Sequence, residues 1–408
     1  MKIDLNKRFS IAHHDRCSHS SLYYQYYEAI RNSSQQFRDE IYDIYFGKIF
    51  RYKYREQEIY DNYGKSHEVA YGNVMGVEAS DEQVDVLFKI QEEFGIEISL
   101  TINQLNIPVE IFYSKDDRVL NSFLQWLQEF YDRGLRNCTL ANNHMMRAGF
   151  LQDKFPKMKW KNTVNQQVST AQQVLDYLYL GYNIIQLDRS LNRNMDELKR
   201  IKDVVEDYKK KYPDKHVKTC MLVMEDCMPS CPFKREHDNL QIYHGKIDYW
   251  KSHLGAMTCN RWRAMFGDMI VPRSGTNCVW LSVDIFREYA ELVDIFKYSG
   301  RLNGKVHPQD SGNIQFGWFT GEHASKSFSE IVENRLEPLY SWYLDDGIFA
   351  CFKTDIKDIK EDLKDNFFMT DKAKKLEQKL KYCKNQCYSC HLCERTFQIP
   401  DFDSMVEL

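Results

Sequence analysis

The sequence predicts an α/β protein: a (β/α)8 TIM-like barrel followed by a helical C-terminal extension that carries a cysteine cluster. Two observations predict it. Eight short β-branched or apolar runs recur from about residue 40, and amphipathic helical stretches separate most of them. The runs are Ile41–Gly47, Ile96–Ile102, Asn137–Ala141, Met158–Asn162, Asn183–Asp188, Val217–Met224, Val279–Val283 and Val293–Lys297. An open, doubly wound sheet is the competing architecture. No Gly-rich phosphate loop follows any of the runs, which weakens a dinucleotide-binding version of it.

The helices are read from their 3.6-residue period. Val119, Leu120, Phe123, Leu124 and Leu127 form one apolar face, and Leu198, Ile201, Val205 and Tyr208 another. Asn194 is placed to cap the second of these helices, and Gly181 to end a helix over residues 170–180. The chain divides into a polar N-terminal segment (1–40), the barrel with its thiol site (41–309) and the helical extension (310–408).

At 408 residues the chain is long enough for a full-sized core. A 43% hydrophobic and 28% charged composition is that of a globular protein. The net charge of -4 argues against general DNA binding. The first ten residues lack an apolar signal core, and no stretch has the length of a membrane span, so a cytoplasmic protein is expected. In a reducing compartment twelve cysteines point to metal ligation before disulfides.

Two thiol groups stand out. Cys227 and Cys231 lie in a polar turn (Glu225, Asp226, Pro229, Ser230, Pro232) just beyond the Val217–Met224 run. That is the rim where barrel enzymes gather their functional groups. Cys259 follows in a loop-like stretch, and Cys278 is the candidate fourth ligand; such a set suits a four-iron four-sulfur cluster or zinc. Cys383, Cys387, Cys390 and Cys393 supply four thiols in eleven residues near the end of the chain, with His391 among them. Their spacing leaves a second cluster and zinc both open, and one of these thiols is an alternative fourth ligand for the barrel site. Cys138, Cys220 and Cys351 sit in or beside apolar runs and read as core.

Polar residues follow several of the runs: Asn103 after the second, Asn142 and His144 after the third, and Asp188, Arg189, Asn192 and Arg193 after the fifth. Glu225, Arg235 and His237 follow the sixth, and Arg301 the eighth. In a closed barrel they would ring one mouth. Arginines there would clamp an anionic substrate, while Glu225 or His237 would carry a proton. Each has a structural alternative: an Asp188–Arg189 ion pair, or a helix-capping role for His144.

The segment Glu225-Asp-Cys-Met-Pro-Ser-Cys-Pro-Phe-Lys-Arg-Glu-His237 resembles the Asn-Glu-Gly-Cys-x3-Cys-Pro-x-Arg-x2-His signature of barrels related to the collagenase-like peptidases, family thirty-two of the unassigned peptidases. Ile41–Gly47, Leu187–Asn194 and Asp294–Arg301 are similar to three further stretches of that family, in the same order. The resemblance covers roughly residues 40–302. It implies a (β/α)8 barrel holding a four-iron four-sulfur cluster, with Cys227, Cys231 and Cys259 as ligands. It also implies an oxygen-independent hydroxylase or related modification enzyme acting on a small anionic molecule or a nucleotide. Some relatives resemble obligate heterodimers, so a partner subunit, or a non-catalytic metal-stabilised scaffold, is the alternative. Met224 and Asp226 replace the signature's Asn and Gly, and Leu281-Ser-Val-Asp284 stands where relatives often have Arg-Pro-Glu-Asp. The paired-cysteine signature of the peptidase members is absent, which argues against proteolysis.

Overall fold

A computed structural model describes residues 6–13, 21–53, 68–73, 78–223, 231, 232, 234, 283–298, 370–383, 386–392 and 395. Its strands are β1 (Phe9–Ala12), β2 (Ile41–Gly47), β3 (Ile49–Lys53), β4 (Glu68–Gly72), β5 (Glu97–Ile102), β6 (Asn137–Leu140), β7 (Lys159–Lys161), β8 (Ile184–Gln186), β9 (Lys218–Val223) and β10 (Ile295–Tyr298). The helices are α1 (Ser21–Asn32), α2 (Gln35–Glu40), α3 (Asp81–Phe94), α4 (Glu110–Tyr113), α5 (Arg118–Asp132), α6 (Asn143–Arg147), α7 (Phe150–Lys154), α8 (Ala171–Tyr179), α9 (Met195–Lys211), α10 (Val283–Ala290), α11 (Asp371–Leu380) and α12 (Cys387–Cys390).

Eight parallel strands close on themselves in the order β1-β10-β9-β8-β7-β6-β5-β2. This is the predicted barrel, and closure decides against the open sheet. The antiparallel pair β3–β4 forms a separate two-stranded sheet. One strand differs from the prediction. The barrel begins inside the polar N-terminal segment, because β1 fills the gap between β10 and β2. The predicted strand Val279–Val283 has no place in it, since β9 pairs directly with β10. Val283 opens α10, and residues 279–282 lie outside the described residues.

Local chemistry sets the helix ends. Ser80 and Gln83 form a reciprocal capping box at the start of α3, and Gly95 ends that helix at φ 65°. Asn194 accepts from the Glu197 N–H and starts α9, as the sequence predicts. Val119, Phe123, Leu127 and Phe130 bury one stripe of α5; Leu198, Ile201, Val205 and Tyr208 bury one stripe of α9.

Strand alternation then sorts the barrel into a greasy outside and a polar inside. Phe9, Ile11, Ile44, Phe46, Ile98, Leu100, Cys138, Trp160, Ile185, Met221 and Phe296 join the core under the helices. Their neighbours of opposite parity face the lumen. Ser10, Asp43, Ser99, Thr101, Asn137, Thr139, Lys161 and Gln186 are all buried there. Tyr42, Ile184, Cys220 and Ile295 form the lumen's own small apolar cluster. In such barrels alternate strands contribute inward side chains at a common height. The observed register groups Ser10, Ser99, Lys161 and Cys220 at one height, and Tyr45, Thr139, Gln186 and Lys297 at the next height toward the mouth.

Candidate functional site

The mouth is built from the loops after β5, β6, β7 and β8. Asn103 is half-buried just beyond β5. Asn142 accepts the Met145 N–H at 2.9 Å and caps α6, so its side chain serves the helix. His144 lies exposed on α6. The neighbouring Asn143 is the better connected residue: it accepts from Tyr182 and Gln166 and donates to Tyr177.

After β8 the chain makes a 3-10 turn, Arg189–Arg193, capped by Asp188 through the Ser190 N–H at 2.9 Å. Arg189 is only 6% exposed and Arg193 only 3%. Between them Asn192 donates to the Leu222 carbonyl of β9 at 2.9 Å, and its own carbonyl accepts from the Tyr289 hydroxyl of α10. The turn is thereby pinned to two neighbouring elements, which fixes where its guanidinium groups start.

The thiols come to the same rim from two directions. Cys231 is half-buried, and its carbonyl accepts the Lys234 N–H at 3.1 Å. The Lys234 ammonium donates in turn to Asn165 Oδ1 at 3.1 Å, in the 3-10 turn Val164–Gln166 that follows β7. From the other side, α11 buries Leu376 and Leu380, and the Met195 N–H donates to the Lys381 carbonyl at 3.0 Å. Lys381 also reaches Glu288 of α10 at 2.6 Å. Cys383 therefore packs against the core beside the start of α9. Cys387 is half-buried and Cys390 exposed, one turn apart on α12.

Glu225, Cys227, Arg235, His237, Cys259, Cys278, Arg301 and Cys393 lie outside the described residues. Among the described residues no three His, Cys, Asp or Glu side chains converge to hold a metal ion. Cys231 and the described tail thiols therefore do not form a ligand set by themselves.

The lumen below the mouth is the part that sequence inspection misses. Lys161 is 2% exposed, and its ammonium lies within electrostatic reach of the Cys220 thiol, which it pulls down. Cys220 in turn donates to Gln186 Oε1 at 3.2 Å. Gln186 is clamped by Asn162, which accepts its N–H at 2.6 Å and donates to its carbonyl at 3.0 Å. Burial pushes the Cys220 thiol up, while Lys161 and Lys297 pull it down and Asp43 opposes them. Asp43 is fully buried; Ser10 donates to one of its oxygens, and the other has no partner. Lys297 lies 4.0 Å above the Tyr45 ring. The available signal was the Lys-Trp-Lys alternation at 159–161, with Trp160 in the outer core and both lysines turned inward.

No family model matches the chain, and no curated protein matches it. Among solved structures it is similar to the U32 peptidase Mk0906, at 13% identity and a TM-score of 0.42, over 71% of this chain and 91% of that one. It is also similar to Eubacterium rectale Amy13B, at 11% identity and a TM-score of 0.35, over 73% of this chain and 66% of that one. Likenesses of this strength add nothing to the barrel that the strand order already establishes. No helix among the described residues is long and apolar enough to cross a membrane.

Proposed function

We propose that this chain is a thiolate-metal barrel enzyme that modifies a small anionic molecule or a nucleotide at its C-terminal mouth. The observation that carries the proposal is the Arg189–Arg193 turn: two nearly buried guanidinium-bearing residues at the rim, next to the loop that holds the Cys231 segment. Guanidinium groups match carboxylate and phosphate oxygens in pairs, so Arg189 and Arg193 would bind and orient such a group. Glu225 or His237 would hold or deliver a proton there. Cys227, Cys231 and Cys259 would hold a four-iron four-sulfur cluster, with Cys278 or a tail thiol as fourth ligand. When bound, that group would supply the redox chemistry of an oxygen-independent hydroxylation.

Anaerobic purification with iron and acid-labile sulfide counts tests the proposal. About four irons per chain are expected for one cubane and about eight for two. Replacing Cys227 and Cys231 together by Ala should remove one set along with its visible absorption. Wild-type protein that is free of iron after anaerobic purification overturns the proposal. So does a double variant that keeps the full count.

A further inference from the structure

The lumen contains a contrast between two lysines on one short strand. Lys159, at the floor, places its ammonium 2.6 Å from Glu97, and both groups are neutralised. Two residues on, Lys161 is more deeply buried yet has no ion pair among the described residues; it shares a layer of the lumen with Cys220, whose thiol its charge pulls down. A buried ammonium ordinarily needs a carboxylate or several oxygen acceptors. The carboxylate exists: Asp43, within electrostatic reach of the same sulfur, keeps one oxygen unpartnered. The Ser99 and Thr101 hydroxyls, on the inward face of β5, are buried without partners as well. An amine, an acid and two hydroxyls thus share one lumen without satisfying one another.

We propose that Lys161 is a covalent anchor for a small aldehyde or ketone, whose carbonyl carbon condenses with Nζ to form an imine inside the barrel. Desolvated lysines held by a barrel wall are suited to this chemistry. The Lys161 ammonium loses one proton, which a lumen water or a hydroxyl of the incoming ligand relays to the free oxygen of Asp43. Its nitrogen lone pair then forms the C–N bond as the carbonyl π pair moves to oxygen, and a proton shifts from nitrogen to that oxygen. Asp43 returns its proton to the resulting hydroxyl, the C–O bond breaks, water leaves, and the nitrogen lone pair closes the protonated C=N bond. One water is released per imine, and no oxidant or reductant is consumed. Ser99 and Thr101 would take hydroxyl or carboxylate groups borne by the same ligand.

The test uses the full chain with glyoxylate, pyruvate or dihydroxyacetone, each in the presence of sodium cyanoborohydride, followed by peptide mass mapping. The expected result is a reduced adduct on Lys161 with at least one probe, in excess over Lys159 and over exposed lysines such as Lys199. Lys161→Arg, with an unchanged circular dichroism spectrum, should lose that adduct alone. If Lys161→Arg fails to fold, the comparison of Lys161 with Lys159 inside the wild-type map still decides. Adducts confined to exposed lysines for all three probes overturn the proposal. So does a thermal upshift by the probes with no trapped adduct on Lys161 from any of the three, because the site would then bind by charge alone. Imine trapping needs no metal, so this result is separable from the fate of the thiolate proposal.

Discussion

Glu97 of β5 and Lys159 of β7 meet across an intervening strand, with the ammonium 2.6 Å from both carboxylate oxygens. Asn137, on the strand between them, donates to the same carboxylate at 2.5 Å. Three strands are tied together at the floor of the barrel by one acidic side chain. Burial would raise the Glu97 carboxyl, but the Lys159 and Asn137 hydrogen bonds outweigh it and hold the group below the usual glutamate range.

The sign of the pH effect follows. A carboxyl lowered in the fold contributes stability above its unfolded value of about 4.3, and that contribution is lost as pH falls through the lower folded value. Glu97→Gln should therefore cost about 1 kcal/mol at neutral pH, a small figure because the pair is partly solvated. It should also flatten the stability curve below about pH 4. Urea unfolding at a series of pH values measures both. An unchanged acid limb in the variant would show that the tie contributes nothing.

His216 supplies a second pH test. Burial, helped by the Lys159 and Lys218 ammonium groups, pushes its imidazole down to about 4. Its Nε2 lies 3.5 Å from the Tyr42 hydroxyl. A histidine lowered in the fold stabilises fully above its unfolded value of about 6.5, and the contribution drains away as pH falls from there toward the folded value. His216→Gln should remove that slope between about pH 6.5 and 4; the lower limb should persist, because Lys159 and Asn137 hold the Glu97 carboxyl down more strongly than His216 does. An NMR titration of the His216 ring in the folded protein checks the cause directly; a midpoint near 6.5 would refute it.

How legible these features are in the sequence depends on what each residue does. β2 and β5 are plain, because Ile41–Gly47 and Glu97–Ile102 are long, β-rich and buried throughout or nearly so. β1 is not, because Phe9–Ala12 has only four residues, set among polar ones. Val283 shows the reverse error: at the end of a short apolar run it looks the same whether it closes a strand or opens a helix, and it opens α10. At the mouth the polar ring is legible, but not which members cap helices: Asn142 and Asp188 spend their side chains on local N–H groups. Lys161 is hidden because an alternating Lys-Trp-Lys run normally signals an exposed face, and closure of the barrel turns that face inward.

The tail helix α11 makes a prediction about domain integrity. Leu376 and Leu380 are 3% and 2% exposed, and Lys381 links to Glu288 and to the start of α9. A helix held in this way is a part of the barrel's wall. Leu380→Ala should lower the unfolding free energy by about 2–4 kcal/mol in a single transition. A loss below about 1 kcal/mol, or a separate early transition, would mean that the segment folds apart from the barrel.

Asn194 connects helix formation to the site. It accepts the Glu197 N–H at 3.3 Å and so begins α9 one residue after Arg193. Removing the cap should cost about 1 kcal/mol, because one orphan N–H at the helix start then loses its partner. The same change loosens the last residue of the Arg189–Arg193 turn, although that turn keeps its Asp188 cap and the Asn192 bond to Leu222. Asn194→Ala should therefore lower stability modestly and, on the proposed function, weaken anion binding at the mouth. Asn194→Asp should restore the cap while adding a negative charge beside Arg193. Stability recovered without recovery of phosphate or carboxylate binding, measured by calorimetry, is the expected pattern for the aspartate variant. Equal binding in all three proteins would place the anion somewhere other than on Arg193.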